Sequence, residues 1–190
     1  MSHLVYRLTP GEYKKYRQHL LSLDKESRYT RFGYVASDEI IHQLCDKVEA
    51  NPKEHKLFAI EDDDLNVVAA GHISLEQGQT ELAFSVLTPY RKQGMGSALM
   101  GRCIEWCQNR NIKGGMMVCL SSNVPIKRLA SKHGVLISEG GETLADIKIP
   151  SPDMSSVVNE VIESNMAVME HMGKLNRKIA RMLINPLRFK

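Results

Sequence analysis

The 190-residue sequence contains no apolar run of the ~18–20 residues that a membrane-spanning helix requires. It also lacks the basic-then-apolar start of a secretory signal peptide. Its four cysteines follow neither zinc-ligand nor disulfide spacing and lie at positions typical of apolar helix or strand faces, which predicts buried free thiols. These absences predict a cytoplasmic protein, and a composition of 43% hydrophobic and 25% charged residues is that of a globular domain.

No acidic residue follows Glu170. The last 20 residues contain six Lys or Arg, whereas the preceding 170 contain 19 basic and 22 acidic residues. The excess of basic over acidic residues therefore lies at the C-terminal end. Basic residues recur there at helical spacing, which is compatible with contact to nucleic acid or an anionic membrane, although a solvated face is the commoner meaning. These residues are Lys174, Arg177, Lys178 and Arg181.

Apolar periodicity predicts alternating helices and strands along the first 150 residues. A strand at 4–8 and helices over about 9–23 and 38–50 precede a meander of three strands, and the polar, aromatic segment 24–34 is predicted to be a loop. A strand–helix–strand unit and a hairpin follow, with Gly134 predicted to end the last short helix. The pattern indicates an α+β fold with a mixed, mostly antiparallel sheet of about seven strands flanked by helices.

The segment Pro150–Asp153 marks a predicted boundary between a domain at 1–150 and a long helix within 151–190, which Asp153 is placed to cap. Apolar residues recur in heptads from Met154 to Met182, with Asn165 as the polar exception. One buried-type Asn in such a register is typical of parallel dimers, which predicts a homo-oligomer. A wide apolar stripe also suits docking on the same chain or on another surface.

Two glycines, Gly94 and Gly96, stand directly before a helical pattern. Free N–H groups and a partial positive charge at a helix start attract anions, and glycine allows a close approach. No Lys-Ser/Thr follows Gly96 and no third glycine stands in register, so neither a P-loop nor a dinucleotide fingerprint is present. The loop alone predicts anion binding, and ordinary loop chemistry explains it equally well.

The context of this loop resembles the GNAT family of N-acetyltransferases. The stretch from Arg91 to Gly96, `RKQGMG`, is similar to the family's acetyl-CoA loop, Arg/Gln-x-x-Gly-x-Gly/Ala. A second block, `NVPIKRLASKHGV` from Asn123 to Val135, is similar to the Asn and apolar helix that follow the family's fifth strand. The resemblance extends from about Leu4 to Ile149, and it implies the acyl-CoA N-acyltransferase fold.

The resemblance implies acetyl-CoA as the co-substrate. It implies that backbone amides of residues 93–97 hold the pyrophosphate, with Arg91 and Lys92 supplying charge, although Lys92 is equally compatible with a solvated loop lysine. It further implies that one strand edge and one Asn bind the pantetheine arm. The implied cofactor residues are Ser85, Val86, Arg91, Lys92, Gln93, Gly94, Met95, Gly96, Ser97 and Asn123.

Glu81 is the candidate catalytic base, since many relatives carry a glutamate at this place in the strand; a solvent-facing strand glutamate is the alternative. A base is needed because a lysine ammonium of pKa ~10.4 is neutral in only about one molecule in ~2,500 at pH 7. The strand N–H near Val86 is implied to stabilise the oxyanion. Ala130 occupies the position where many members carry an acidic tyrosine, which leaves His133 and Ser131 as neighbouring alternatives.

The segment `SRYTRF`, Ser27 to Phe32, is similar to bacterial single-domain members related to the protein-lysine acetyltransferases. The resemblance implies acceptor binding by Arg28, Tyr29, Arg31 and Phe32, and pinning of the segment to the core is the alternative. The resulting hypothesis is acetyl transfer from acetyl-CoA to a primary amine of a protein or small molecule. The competing hypothesis is a catalytically weak acyl-CoA-binding domain that serves assembly or targeting through its C-terminal helix.

Overall fold

The computed structural model of the chain describes residues 3–184. Within that range, seven strands form one sheet in the order β1-β2-β3-β4-β5-β7-β6, antiparallel except between β4 and β5. The strands are β1 Tyr6–Arg7, β2 His55–Glu61, β3 Val67–Ser74, β4 Glu81–Val86, β5 Gly114–Leu120, β6 Gly134–Glu139 and β7 Glu142–Lys148. The helices are α1 Tyr13–Leu21, α2 Lys25–Phe32, α3 Asp38–Ala50, α4 Met95–Gln108, α5 Val124–Ala130 and α6 Met154–Ile184.

Apolar cores on the two faces of the sheet hold the helices. On one face, α4 contributes Leu99, Met100 and Cys103 to a cluster that includes Phe58 and Leu82. On the other, α1 and α3 form a cluster with the opposite side chains of β2 and β3. The predicted fold class is confirmed, and so are the buried free thiols, since all four cysteines are buried and unbridged.

The predicted loop at 24–34 is wrong, because most of it forms α2. The Asp24 side chain caps this helix by accepting a 2.7 Å hydrogen bond from the Ser27 N–H. Gly33, with a φ of 82°, ends it in the left-handed conformation. The cap residues were visible in the sequence, but the helix is so polar that its apolar periodicity gave no signal.

Helix α6 packs against its own domain through a polar face. The buried Arg102 of α4 donates a 2.6 Å hydrogen bond to the Ser164 hydroxyl. Further along, His171 lies 2.7 Å from the buried Glu61 carboxylate at the end of β2. As expected, Asp153 caps the helix by accepting a 2.7 Å bond from the Ser156 N–H. The apolar stripe predicted for α6 therefore does not serve this contact.

The basic residues of α6 contact the acidic turn between β2 and β3. Lys178 donates to the Asp64 carbonyl at 2.9 Å, and Arg181 pairs with the Asp64 carboxylate at 3.0 Å. Arg177 lies 3.4 Å from Asp63. These exposed pairs contribute little to stability individually, but they occupy the basic groups. Among residues 3–184, no helix is long and apolar enough to cross a bilayer.

Candidate active site

A gap in the sheet lies between β4 and β5. These parallel strands pair at Glu81 and Met116, where both begin, and their register is not continued beyond that point. In contrast, β4 pairs with β3 along its whole length, and β5 does so with β7. The divergence of β4 and β5 leaves strand edges without a neighbouring strand, in the middle of the sheet.

The alternation of backbone hydrogen bonds decides which residues of β4 face this gap. The Leu87 N–H donates to the Val68 carbonyl on the β3 side at 2.9 Å, whereas the Thr80 carbonyl accepts from Met116 of β5 at 2.7 Å. Because successive residues of a strand direct their backbone groups to opposite sides, the N–H groups of Phe84 and Val86 point into the gap. The backbone of Ser85 faces β3.

The glycine loop lies at the wide end of the gap and forms a backbone nest. Lys92 and Gly94 both have left-handed conformations, with φ values of 62° and 85°. The first hydrogen bond of α4 runs from the Ala98 N–H to the Gly94 carbonyl at 3.1 Å. The four preceding N–H groups, from Gly94 to Ser97, have no acceptor within the helix. Such a concave set of N–H groups at a helix start binds anions.

Arg91 fixes the loop to the neighbouring elements. Its Nη2 donates to the Ser27 hydroxyl of α2 at 2.7 Å, and its Nε donates to the Val86 carbonyl at 3.3 Å. Ser27 is 4% exposed, so this contact is protected from solvent. Arg91 is therefore a structural link between α2, β4 and the loop, as well as a positive charge close to the anion nest.

The gap opens into a cleft of about 740 Å³ that includes the loop from Arg91 to Ser97, apart from Gln93. Asn123 also lines this cleft while its side chain caps α5, accepting from the Ile126 N–H at 3.4 Å. A second cavity of about 710 Å³ lies between α4 and the start of α6; His133 lines it, but none of the predicted cofactor, base or acceptor residues does. The cleft is thus the candidate active site.

Carboxylates from three different elements line the cleft. Glu81 of β4 is solvent-exposed and lines the cleft together with Glu26 of α2 and Glu142 of β7. Leu82, whose side chain points to the opposite face of β4, is buried under α4. Glu26 and Glu142 were not found from the sequence, because neither belongs to a motif and only the fold places them in the same cleft as Glu81.

The predicted acceptor residues divide into two pairs. Arg31 and Phe32 line the cleft, whereas Arg28 and Tyr29 are not part of its lining. Arg28 donates to three backbone carbonyls at 2.8–3.1 Å and pairs with Asp38 at 2.7 Å. Its guanidinium joins α2 to the segments on either side. The carbonyls belong to Leu21, Leu23 and Ala36.

No tyrosine lies at the end of α5 within the described chain, where Ala130 is fully buried in the α4 core. His133 and Ser131 do not line the cleft between β4 and β5. Tyr90, from the turn before the glycine loop, does line it. This tyrosine lies outside the two sequence blocks that resemble the family.

Comparison with known proteins agrees with this geometry. The family model for the acetyltransferase (GNAT) family matches residues 18–135, which is more than half of the chain. The chain belongs to the GNAT acetyltransferase family. Membership implies acyl transfer from acetyl-CoA.

Solved GNAT structures share this fold at low sequence identity. The GNAT domain of S. lividans PAT is 17% identical, with a TM-score of 0.61 over 76% of this chain and 89% of that one. PaiA N-acetyltransferase from Thermoplasma acidophilum, solved with coenzyme A, is 14% identical, with a TM-score of 0.56 over 78% and 99%. Spermidine N-acetyltransferase from Vibrio cholerae, solved with CoA and spermine, is 12% identical, with a TM-score of 0.56 over 77% and 94%.

A buried histidine of α1 hydrogen-bonds to both β3 and β4 of this GNAT fold. His19 of α1 lies 2.9 Å from the Val67 carbonyl through Nδ1 and 2.8 Å from the Ser85 hydroxyl through Nε2. Burial lowers the pKa of His19 to about 4, so the ring is neutral. Since a carbonyl only accepts, Nδ1 carries the proton, and the Ser85 hydroxyl donates to Nε2. His72 and His55, which lie 3.1 Å apart, also have pKa values lowered by burial.

We expect the free energy of unfolding to fall as the pH is lowered from 7 towards 4. The folded pKa of His19, about 4, lies below the unfolded value of 6.5. Between these values the unfolded chain binds the proton and the folded chain does not, so His19 stabilises the fold above pH 6.5 and loses this contribution as the pH falls. The loss approaches ~1.4 kcal/mol per pH unit for each such histidine.

Urea unfolding at several pH values measures this slope. In a His19→Gln variant, the contribution of one proton to the slope should disappear between about pH 4 and 6.5, while His72 and His55 keep their own contributions. A variant whose slope equals that of the wild type would contradict the assignment of His19.

Proposed function

We propose that this GNAT protein transfers an acetyl group from acetyl-CoA to a primary amine, with Glu81 as the base. The observation that carries the proposal is the position of the anion nest at Gly94–Ser97, at the end of the gap between β4 and β5. A nest for a pyrophosphate there continues into a slot of strand-edge N–H groups for the pantetheine arm. The cleft has room for both.

The proposed cofactor contacts differ in kind. The amide N–H groups from Gly94 to Ser97 donate to the pyrophosphate oxygens, and Arg91 and Lys92 add positive charge. The gap-facing backbone groups of Phe84 and Val86 bind the pantetheine arm and the thioester carbonyl. Ser85, whose hydroxyl is held by His19, positions this strand instead of contacting the arm through its backbone.

In the proposed reaction the amine nitrogen attacks the thioester carbonyl carbon. The new C–N bond forms, the C–S bond breaks, and the amine proton passes through ordered water to the Glu81 carboxylate, at the other end of β4 from Val86. The Val86 N–H donates to the developing oxyanion. A thiol of pKa ~8.5 can leave as thiolate at pH 7 at a cost of ~2 kcal/mol, so the buried Ala130 in place of a tyrosine does not prevent turnover.

The charges of the cleft support a cationic acceptor. Glu26, Glu81 and Glu142 line it. Of its three basic residues, Arg31 lies on α2, whereas Arg91 and Lys92 belong to the loop proposed to bind the phosphates. An ammonium group is attracted to such a surface before it loses its proton. A lysine side chain, a protein N-terminus and a polyamine all present this group, and we propose this class as the acceptor.

Substitution of Gly96 by Asp tests the cofactor site, because it should weaken acetyl-CoA binding without unfolding the protein. A Cβ at Gly96 would meet the Leu129 side chain at an ordinary 3.7 Å, and Asp near the start of α4 favours the helix. Near the phosphates, however, like charges ~4 Å apart repel by ~1 to ~4 kcal/mol, a loss of about 5- to 1,000-fold in affinity. Titration calorimetry with acetyl-CoA measures this loss.

Gly101→Ala, on the same helix with nothing within 4 Å of a built Cβ, is the matched control and should bind as the wild type does. Equal affinity of Gly96→Asp and wild type would overturn the cofactor site. Thiol release from acetyl-CoA with lysine peptides and polyamines then tests the reaction. Tight binding with no thiol release across that panel would favour the second candidate, an acyl-CoA-binding domain, which the missing tyrosine at Ala130 motivates.

A further inference from the structure

Helix α6 presents an apolar stripe to solvent, on the side away from the domain that holds it. Its eleven side chains are each between 44% and 81% exposed. The helix is held to the domain by other residues, among them Ser164, Ala167 and His171. The stripe consists of Met154, Val157, Val158, Val161, Ile162, Val168, Met169, Met172, Ile179, Met182 and Leu183.

The orientation of α6 is fixed by specific polar contacts, so the exposure of the stripe is a feature of the fold. Asn109 of α4 donates to the Ser156 carbonyl at 3.0 Å and to the Glu160 carboxylate at 2.7 Å. Near the other end, Lys174 donates to the Glu61 carbonyl at 2.8 Å. Turning the stripe inward would break these bonds and leave the buried Arg102 without its Ser164 and Glu160 partners.

The geometry points to a second copy of this chain as the partner, bound in parallel through the stripe. A 31-residue helix is ~46 Å long. At roughly 100 Å² of apolar area for a fully exposed side chain, the stripe offers about 600 Å² per copy, or about 1,200 Å² for a pair. The total for a pair reaches the lower limit of ~1,200 Å² for stable protein interfaces, and the ~600 Å² on each copy lies at the upper end of the ~300–600 Å² that the largest apolar patch of a monomer usually covers.

The residues of the stripe are suited to packing against the same stripe of a second copy. The polar residues along it are Asn165 and Asn176, both uncharged. Val158, Asn165, Met172 and Ile179 share one heptad position, so a parallel pair places Asn165 opposite its own copy. There the two amides hydrogen-bond each other, whereas a shifted or antiparallel pair would bury each Asn against apolar side chains.

The positions of the basic residues of α6 disfavour an anionic membrane or nucleic acid as the partner of the stripe. Such partners need basic side chains beside the apolar face. The basic residues of α6 instead contact the β2–β3 acidic turn or Glu61: Lys174 and Lys178 bind backbone carbonyls, and Arg177 and Arg181 pair with carboxylates. A second copy requires none of these groups.

Sedimentation equilibrium of the full chain tests the proposal. We expect a dimer at micromolar concentration and at least a tenfold weaker dimer for Val168→Glu, whose side chain is 57% exposed and so leaves the monomer fold intact. Asn159→Glu, an exposed substitution on α6 outside the stripe, should dimerise as the wild type does. A monomeric wild type, or a Val168→Glu dimer of unchanged strength, would overturn the proposal.

Disulfide trapping tests the parallel alignment, because the four native cysteines are buried. Val158→Cys and Ile179→Cys, three heptads apart, should each form cross-linked dimers alone. If the two variants cross-link only when mixed, the pair is antiparallel and the alignment is wrong. Monomeric protein that sediments with phosphatidylserine vesicles would assign the stripe to a membrane and refute the dimer.

Discussion

Replacing Glu81 with Gln should lower the rate of acetyl transfer at pH 7 by ~10²- to 10⁴-fold, the usual contribution of a positioned base. Gln keeps the size and polarity of the side chain but does not take a proton from an ammonium. The loss should shrink as the pH approaches ~10, because the free amine then forms without help. Thiol detection with an acceptor from the lysine and polyamine panel gives the pH–rate profile.

Two other carboxylates of the cleft provide matched controls for this prediction. Glu26 and Glu142 line the same cleft from α2 and β7. If their role is to attract the acceptor, Glu26→Gln and Glu142→Gln should raise KM for a cationic acceptor and leave kcat within a few fold. Affinity for acetyl-CoA should be unchanged in all three variants. If Glu81→Gln turned over like the wild type from pH 6 to 9, Glu81 would not be the base.

Replacing Gly134 with Ala should be among the most destabilising single-methyl changes in the chain. A Cβ built there overlaps the Asp146 carbonyl oxygen and approaches the Ile147 Cα to 2.9 Å. These are backbone atoms of the paired strand β7, so neither can move without breaking the ladder. We expect a loss of about 3 kcal/mol or more and a fall in Tm of about 6–12 °C by calorimetry.

Gly114→Ala is the control, because its Cβ would lie 3.6 Å from the Ile147 carbonyl, an ordinary contact in the same sheet. Its Tm should change by no more than a few degrees. A Gly134→Ala variant as stable as Gly114→Ala would mean that β6 can move away from β7 at little cost. The test also separates two readings of this glycine, since the sequence suggested a helix-ending residue with positive φ.

The prediction that Gly134 ends helix α5 is wrong. Helix α5 ends at Ala130, and Gly134 instead begins β6 without a left-handed φ. Glycine is needed because β7 approaches the backbone closely. Glycine is required both in a helix-ending turn and where a distant strand approaches closely, so the residue type alone does not distinguish the two.

The elements that the sequence predicted well are those fixed by local patterns. The order of strands, the helix at 38–50 and the loop from Arg91 to Gly96 depend on neighbours within a few residues, and the structure has them where expected. Helix α2 was missed because its local apolar pattern is weak, and its caps at Asp24 and Gly33 were the available signal.

By itself, the sequence determined the family, the glycine loop and the existence of an amphipathic C-terminal helix, since each depends on the spacing of residues close together in the chain. Only the tertiary structure decided the opening between β4 and β5, the presence of Glu26, Glu81 and Glu142 in one cleft, and the outward direction of the α6 stripe. Periodicity shows that a helix has an apolar side; it does not show what that side faces. Here the polar partners of the opposite side, led by Arg102 and Glu61, fix the orientation.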